Sequence, residues 1–191
     1  ASTSTGAVMA NSLVSVSKCL FGTSDDAVGA RLGKGLSTSA VTVAAIIEEC
    51  RLLTATGVSC NLAGTQYNNN FSNCTTDIVA NGSGTQGHGL FSNSKWNALA
   101  ITGNADGFIA VGNKIHPQTG ALTGIDFTGV ASNSDGVIVA NNVFQRQSGT
   151  AIGVALDSNL ITGLVTGNTF EGFVSGNEIT GTPGATFQVF H

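Results

Sequence analysis

Val139-Ala140-Asn141-Asn142-Val143-Phe144 is the stretch on which the reading of this chain turns, with Gly149-Thr150-Ala151-Ile152-Gly153-Val154-Ala155-Leu156 close behind it. A short apolar strand runs into an Asn pair and ends on a large apolar residue. A polar turn follows, then a strand alternating Ile152, Val154 and Leu156. Alternation with a period of two marks strands, because successive side chains point to opposite faces.

Working outward, the same unit recurs. It can be followed through Val14 to Phe21 with Val28 to Leu32, then Ile46 to Cys50 with Val58 to Leu62. It continues through Asn68 to Phe71 with Ile78 to Ala80, and through Phe91 to Trp96 with Leu99 to Ile101. Toward the C-terminus it returns as Ile109 to Ile115 with Leu122 to Phe127, as Val165 to Phe170, and as a partial copy at Gly176 to Ile179 with Ala185 to Phe190. Intervals of roughly 20–30 residues are those of solenoids. The expected fold is all-β: a right-handed parallel β-helix, a single-stranded solenoid of about seven coils. An N-terminal arm is expected over 1–12 and the β-helix domain over 13–191.

Stacked coils place equivalent residues in columns. Cys50, Phe71, Trp96, Ile115, Phe144 and Phe170 are expected to point inward in one column. Val28, Val58, Ile78, Ile125 and Ile152 form a second, and Leu32, Leu62 and Leu156 a third. Asn side chains at the corners are placed to hydrogen-bond up and down the stack, and Gly and Asn tolerate the positive φ such corners need. Residues 42–53 read in two ways, as a coil strand or as an amphipathic cap helix with Thr42 as its cap. The strand is taken first.

Composition narrows the function. One domain fits 191 residues, and 41% hydrophobic content is too high for a disordered chain. Lys and Arg total 7 and the net charge is −4, so nothing neutralises a phosphate backbone and nucleic-acid binding is not expected. No apolar run reaches the ~20 residues of a membrane helix, so membrane insertion is not expected either. Ala1 to Thr5 carries no basic stretch ahead of an apolar core, and no signal peptide is read there.

The units Gly-Asn-Lys-Ile (112–115), Asn-Asn-Val-Phe (141–144), Gly-Asn-Thr-Phe (167–170) and Gly-Asn-Glu-Ile (176–179) resemble the parallel β-helix repeat of pectate-lyase-like proteins, a repeat shared by bacteriophage tailspikes. The resemblance spans about residues 10–190 and implies a fold more strongly than an activity. It implies a trimer, as in phage β-helices. The function expected first is a non-enzymatic virion structural protein, a trimeric capsid decoration protein or spike on the virion exterior. Its partners would be other virion proteins and host surface polysaccharide. The alternatives are a secreted polysaccharide-degrading hydrolase or lyase, and a glycan-binding module using exposed Asn, Thr and Trp96, although Trp96 also matches an inward column.

For an enzyme the candidate residues are His88 in Gly87-His88-Gly89, Asp77 in Thr75-Thr76-Asp77, and Asp25 with Asp26. They resemble fragments of the polygalacturonase signature, with the aspartate pair upstream instead of downstream. A glycosidase needs two carboxylates about 5–9.5 Å apart, which neighbours on a turn do not supply. The expectation is therefore no catalytic site, no cofactor and no metal. Asp106-Gly107 and Asp135-Gly136 read as turns. His116 reads as a solvated loop residue. Cys19, Cys50, Cys60 and Cys74 read as core thiols, with a disulfide between neighbouring coils left open.

Overall fold

The computed structural model describes residues 5–10, 14–18, 20–21, 34–40, 45–48, 51–52, 56–61, 64–67, 76–82, 90–92, 95–96, 98–117, 123–146 and 149–190, with side chains almost entirely from 90 onward. Every strand pairing among these residues is parallel, and they contain no helix. Parallel neighbours that follow each other at coil intervals make a β-solenoid, with about three turns in its best-defined part.

Three sheets form its sides. The first runs, in order, through Thr5–Ala10, Lys34–Ala40, Thr56–Asn61, Thr76–Gly82, Leu99–Gly103, Thr123–Val130, Ile152–Ala155 and Ile179–Thr180. The second runs through Val14–Ser17, Ala45–Glu48, Gly64–Tyr67, Leu90–Ser92, Ile109–Val111, Val137–Ala140, Thr162–Thr166 and Thr186–Val189. The third stacks Lys95–Trp96, Lys114–Ile115, Val143–Gln145 and Thr169–Glu171. From Thr76 onward the described strands visit first, second and third sheet in turn, then climb to the next coil. Thr5–Ala10, inside the stretch assigned to an arm, pairs with Lys34–Ala40. In the ambiguous stretch, Ala45–Glu48 and Arg51–Leu52 are strands, the second paired with Leu20–Phe21.

The first inward column is as the repeat places it. Trp96 pairs with Ile115, Ile115 with Phe144 and Phe144 with Phe170. The first three are fully buried. Cys50 and Phe71 lie outside the described residues. Phe144 and Phe170 stack with centroids 4.8 Å apart, and Trp96 meets Phe91 edge to face at 6.0 Å, geometries that add to burial because ring edges are positive and faces negative. The Trp96 indole N–H donates to the Gly124 carbonyl at 2.9 Å, so the one polar atom of that side chain is satisfied inside the core.

The second column is corrected in its last member. Val58, Ile78, Leu99 and Ile125 are register partners, but the next residue in line is Val154, then Ile179. Ile152 pairs with Thr123 and is only half-buried. Ile152 and Val154 share a strand parity, so alternation alone does not separate them. Val28, Leu32 and Leu62 lie outside the described residues, and Leu156 is buried.

Glycine positions make room for the rings. A Cβ on Gly124 would come within 2.9 Å of the Ile115 side chain, and one on Gly153 within 2.5 Å of Phe170. These two glycines sit at equivalent heights in successive coils. Their missing side chains are the space into which the third sheet's apolar column leans.

Candidate functional surface

Two corners border the second sheet, and each is lined by a vertical ladder of polar side chains. The corner between second and third sheet holds Asn113, Asn142 and Asn168, the second residue of three of the four repeat units. Asn113 donates its backbone N–H and its side-chain N–H to Asn142 Oδ1, both at 2.9 Å. Asn142 does the same to Asn168 Oδ1 at 2.9 and 3.0 Å. Each carboxamide also donates backward to a main-chain carbonyl one coil earlier: Asn113 to Phe91, Asn142 to Ala110, Asn168 to Val139. Asn113 and Asn142 are each 1% exposed. A carboxamide both donates and accepts, so one side chain per coil satisfies a buried corner completely.

The residue before each ladder Asn has positive φ: Gly112 at 66°, Asn141 at 54° and Gly167 at 62°. Only Gly and, less easily, Asn take that conformation cheaply, which explains the Gly-Asn and Asn-Asn pairs. The fourth unit, Gly-Asn-Glu-Ile (176–179), departs from the expected stack. Asn177 donates to Thr150 O at 3.4 Å, and Ile179 pairs with Val154 in the first sheet. Its letters encode a corner without specifying which corner.

The corner between first and second sheet is open to solvent and carries carboxylates. Asp106 Oδ1 accepts the Asp135 N–H at 2.7 Å, and Asp135 Oδ1 accepts the Thr162 hydroxyl at 2.9 Å. Gly107 N–H donates to Asp135 O, and Gly136 N–H to Thr162 Oγ1. Gly107 and Gly136 have φ of 65° and 69°. Asp106-Gly107 is a turn, closed by the Phe108 N–H to Ala105 O bond, and Gly136 bends the chain at the equivalent corner of the next coil.

The other carboxylates whose side chains are described are likewise engaged. Asp126 accepts from the Thr128 N–H and hydroxyl, Asp157 from Asn159 N–H, Glu171 from Gln145 Nε2, and Glu178 from Gly176 N–H. Among the described residues no three His, Cys, Asp or Glu side chains converge on a metal position. No helix among them is long and apolar enough to cross a membrane.

Of the residues named as catalytic candidates, His88, Asp25 and Asp26 lie outside the described residues. Asp77 falls in the first-sheet strand Thr76–Gly82. Cys19, Cys50 and Cys74 also lie outside the description, and Cys60 is in the strand Thr56–Asn61. One expectation is revised. His116, read as solvated, is only 6% exposed; its N–H donates to Trp96 O, which draws the chain in behind Ile115. Trp96 is core, as its inward column places it, so it is no platform for a sugar ring.

The outer faces of the three sheets differ. The first presents small and polar residues such as Ala100, Asp126 and Thr128. The third presents Lys114, Gln145 and Glu171. The second presents Leu90, Ile109, Ile138 and Leu164, which pair in register and are half-buried while outside the core cluster. Their inward neighbours Phe91, Ala110, Val139 and Val165 are buried. Strands that are apolar on both sides read as continuous hydrophobic runs, which hid this face from an alternation argument.

Comparison with family models, with curated proteins and with solved structures found nothing that matches the chain.

Proposed function

We propose that this chain is a non-enzymatic structural protein of a bacteriophage virion, a trimeric capsid decoration protein or spike on the particle exterior. One observation carries the reading: each carboxylate whose side chain is described, from Asp106 to Glu178, accepts a hydrogen bond from a neighbouring residue or from the adjoining coil. A hydrolase keeps two carboxylates facing a groove with pKa values tuned apart. Acids committed to hydrogen bonds within and between coils stiffen the stack instead. In this reading the solenoid continues to about seven coils, right-handed as crossovers between parallel strands nearly always are. Other virion proteins bind it, and host surface polysaccharide is the outermost partner.

The test has two arms. Antibody raised against the purified chain should decorate the exterior of phage particles in electron micrographs. The purified chain should release no reducing ends from acidic or surface polysaccharides. Sugar release that disappears in His88→Ala or Asp77→Asn would replace this reading with the polysaccharide-cleaving one.

A further inference from the structure

We infer that the outer face of the second sheet is a self-association surface, through which copies of this chain pack side by side with their solenoid axes parallel. The inference rests on the proposed virion reading for its trimer and adds the surface and the orientation.

The face carries a continuous aliphatic column, whereas the outward positions of the first and third sheets are mostly polar. Leu90, Ile109, Ile138 and Leu164 make one vertical ridge. Val111 and Ala140 lie in a second ridge beside it. At the far end the first ridge continues as the uncharged Gln188. Rows of aliphatic side chains about 4.8 Å apart offer grooves that a second such face can fill. Four stacked aliphatic rows on a soluble surface mark an interaction site.

Charge selects the occupant. The chain has 11 acidic and 7 basic residues, a net charge of −4, so two copies repel unless they meet across a neutral surface. The described part of this face is neutral. Nucleic acid would need basic groups there. A sugar would need polar or charged side chains beside aromatic ones, and the column from Leu90 to Leu164 is aliphatic, with the exposed ring of Phe190 only at its far end.

The edges then fix the orientation. The edge where the strands begin carries Asp106 and Asp135, joined in one ladder. The edge beyond the strand ends carries Lys114, exposed, in register with Lys95. Rotation about an axis parallel to the solenoid keeps each coil at its height and brings the acidic edge of one copy to the basic edge of the next. Such contacts are heterologous and close into a ring. An antiparallel pair would set acid against acid and base against base. Like charges facing each other are a strong selector against the wrong arrangement.

The experiment is light scattering on the full chain at several concentrations, for the wild type, Ile138→Lys, the milder Ile109→Thr, and Lys114→Glu. Circular dichroism and a melting curve on each variant establish that it folds. The expected result is an oligomer for the wild type. Folded Ile138→Lys should run at monomer mass, Ile109→Thr should dissociate at higher concentration than the wild type, and Lys114→Glu should weaken association by about tenfold. A wild type that stays monomeric at every concentration overturns the inference. So does a folded Ile138→Lys that keeps the oligomer mass, or, where that variant does not fold, a folded Ile109→Thr that dissociates as the wild type does. Particle labelling is read separately, so a face that fails here leaves the virion reading to its own outcome.

Discussion

The two corners that border the second sheet bend the chain in similar ways and use opposite chemistry. Both place a residue of positive φ at the bend, Gly107 and Gly136 on one side, Gly112, Asn141 and Gly167 on the other. Both link successive coils through side chains. The corner toward the third sheet is sealed, and it uses carboxamides. The corner toward the first sheet is wet, and it uses carboxylates capped by N–H groups and a hydroxyl. An ionised carboxylate only accepts, and burying its charge is costly, so it can line an open corner and not a closed one. Burial, more than geometry, decides which residue a corner selects.

The largest expected break in this comparison is Asn142→Asp. It would put an acceptor where donors to Ala110 O and Asn168 Oδ1 now stand, inside a buried corner. A loss of about 3–5 kcal/mol in urea unfolding is expected, the scale of a buried charge left unpaired. Asn142→Ala removes the same bonds without adding charge and should cost roughly 2–4 kcal/mol, through buried groups left unsatisfied. A smaller loss for Asp than for Ala would contradict the sealed-corner argument.

Gly153→Ala probes the packing beside that corner. Its Cβ would press on Phe170 and on the Glu178 carbonyl, both part of the stacked structure. Overpacking of this kind costs about 1–3 kcal/mol, visible as a lowered melting temperature. Asp135→Asn should have the smallest effect, under about 1 kcal/mol, because Oδ1 can still accept from Thr162 and the site is exposed. A loss there as large as at Asn142 would erase the distinction between the corners.

Much of this was legible before any coordinates. The Trp96–Ile115–Phe144–Phe170 column follows from large apolar residues recurring one coil apart, and the Asn ladder from their company of Gly-Asn and Asn-Asn. Other features were not legible, for physical reasons. A period of two does not say whether Ile152 or Val154 sits under Ile125, because both point the same way. Gly176-Asn177 has the local conformation of a corner, and only the count of residues since the previous corner assigns it to a different edge. His116 looks solvated beside Pro117, yet its backbone is held by Trp96 O. The aliphatic outer ridge was concealed because Ile109-Ala110-Val111 and Val137 to Ala140 are apolar on both faces. Of the candidate site, sequence correctly assigned Asp106 to a turn, and Asp135 lies at the equivalent corner. It had no means of showing that Thr162 completes their ladder one coil on.

The most direct test of the corner account is native-state amide hydrogen exchange, comparing Asn113 and Asn142 with Asp135 and Gly136. All four N–H groups donate to side-chain oxygens of a neighbouring coil. If burial separates the corners, the Asn113 and Asn142 amides will exchange only with global opening, as slowly as the core strands, while Asp135 and Gly136 exchange orders of magnitude faster. Equal rates at the two corners would contradict it.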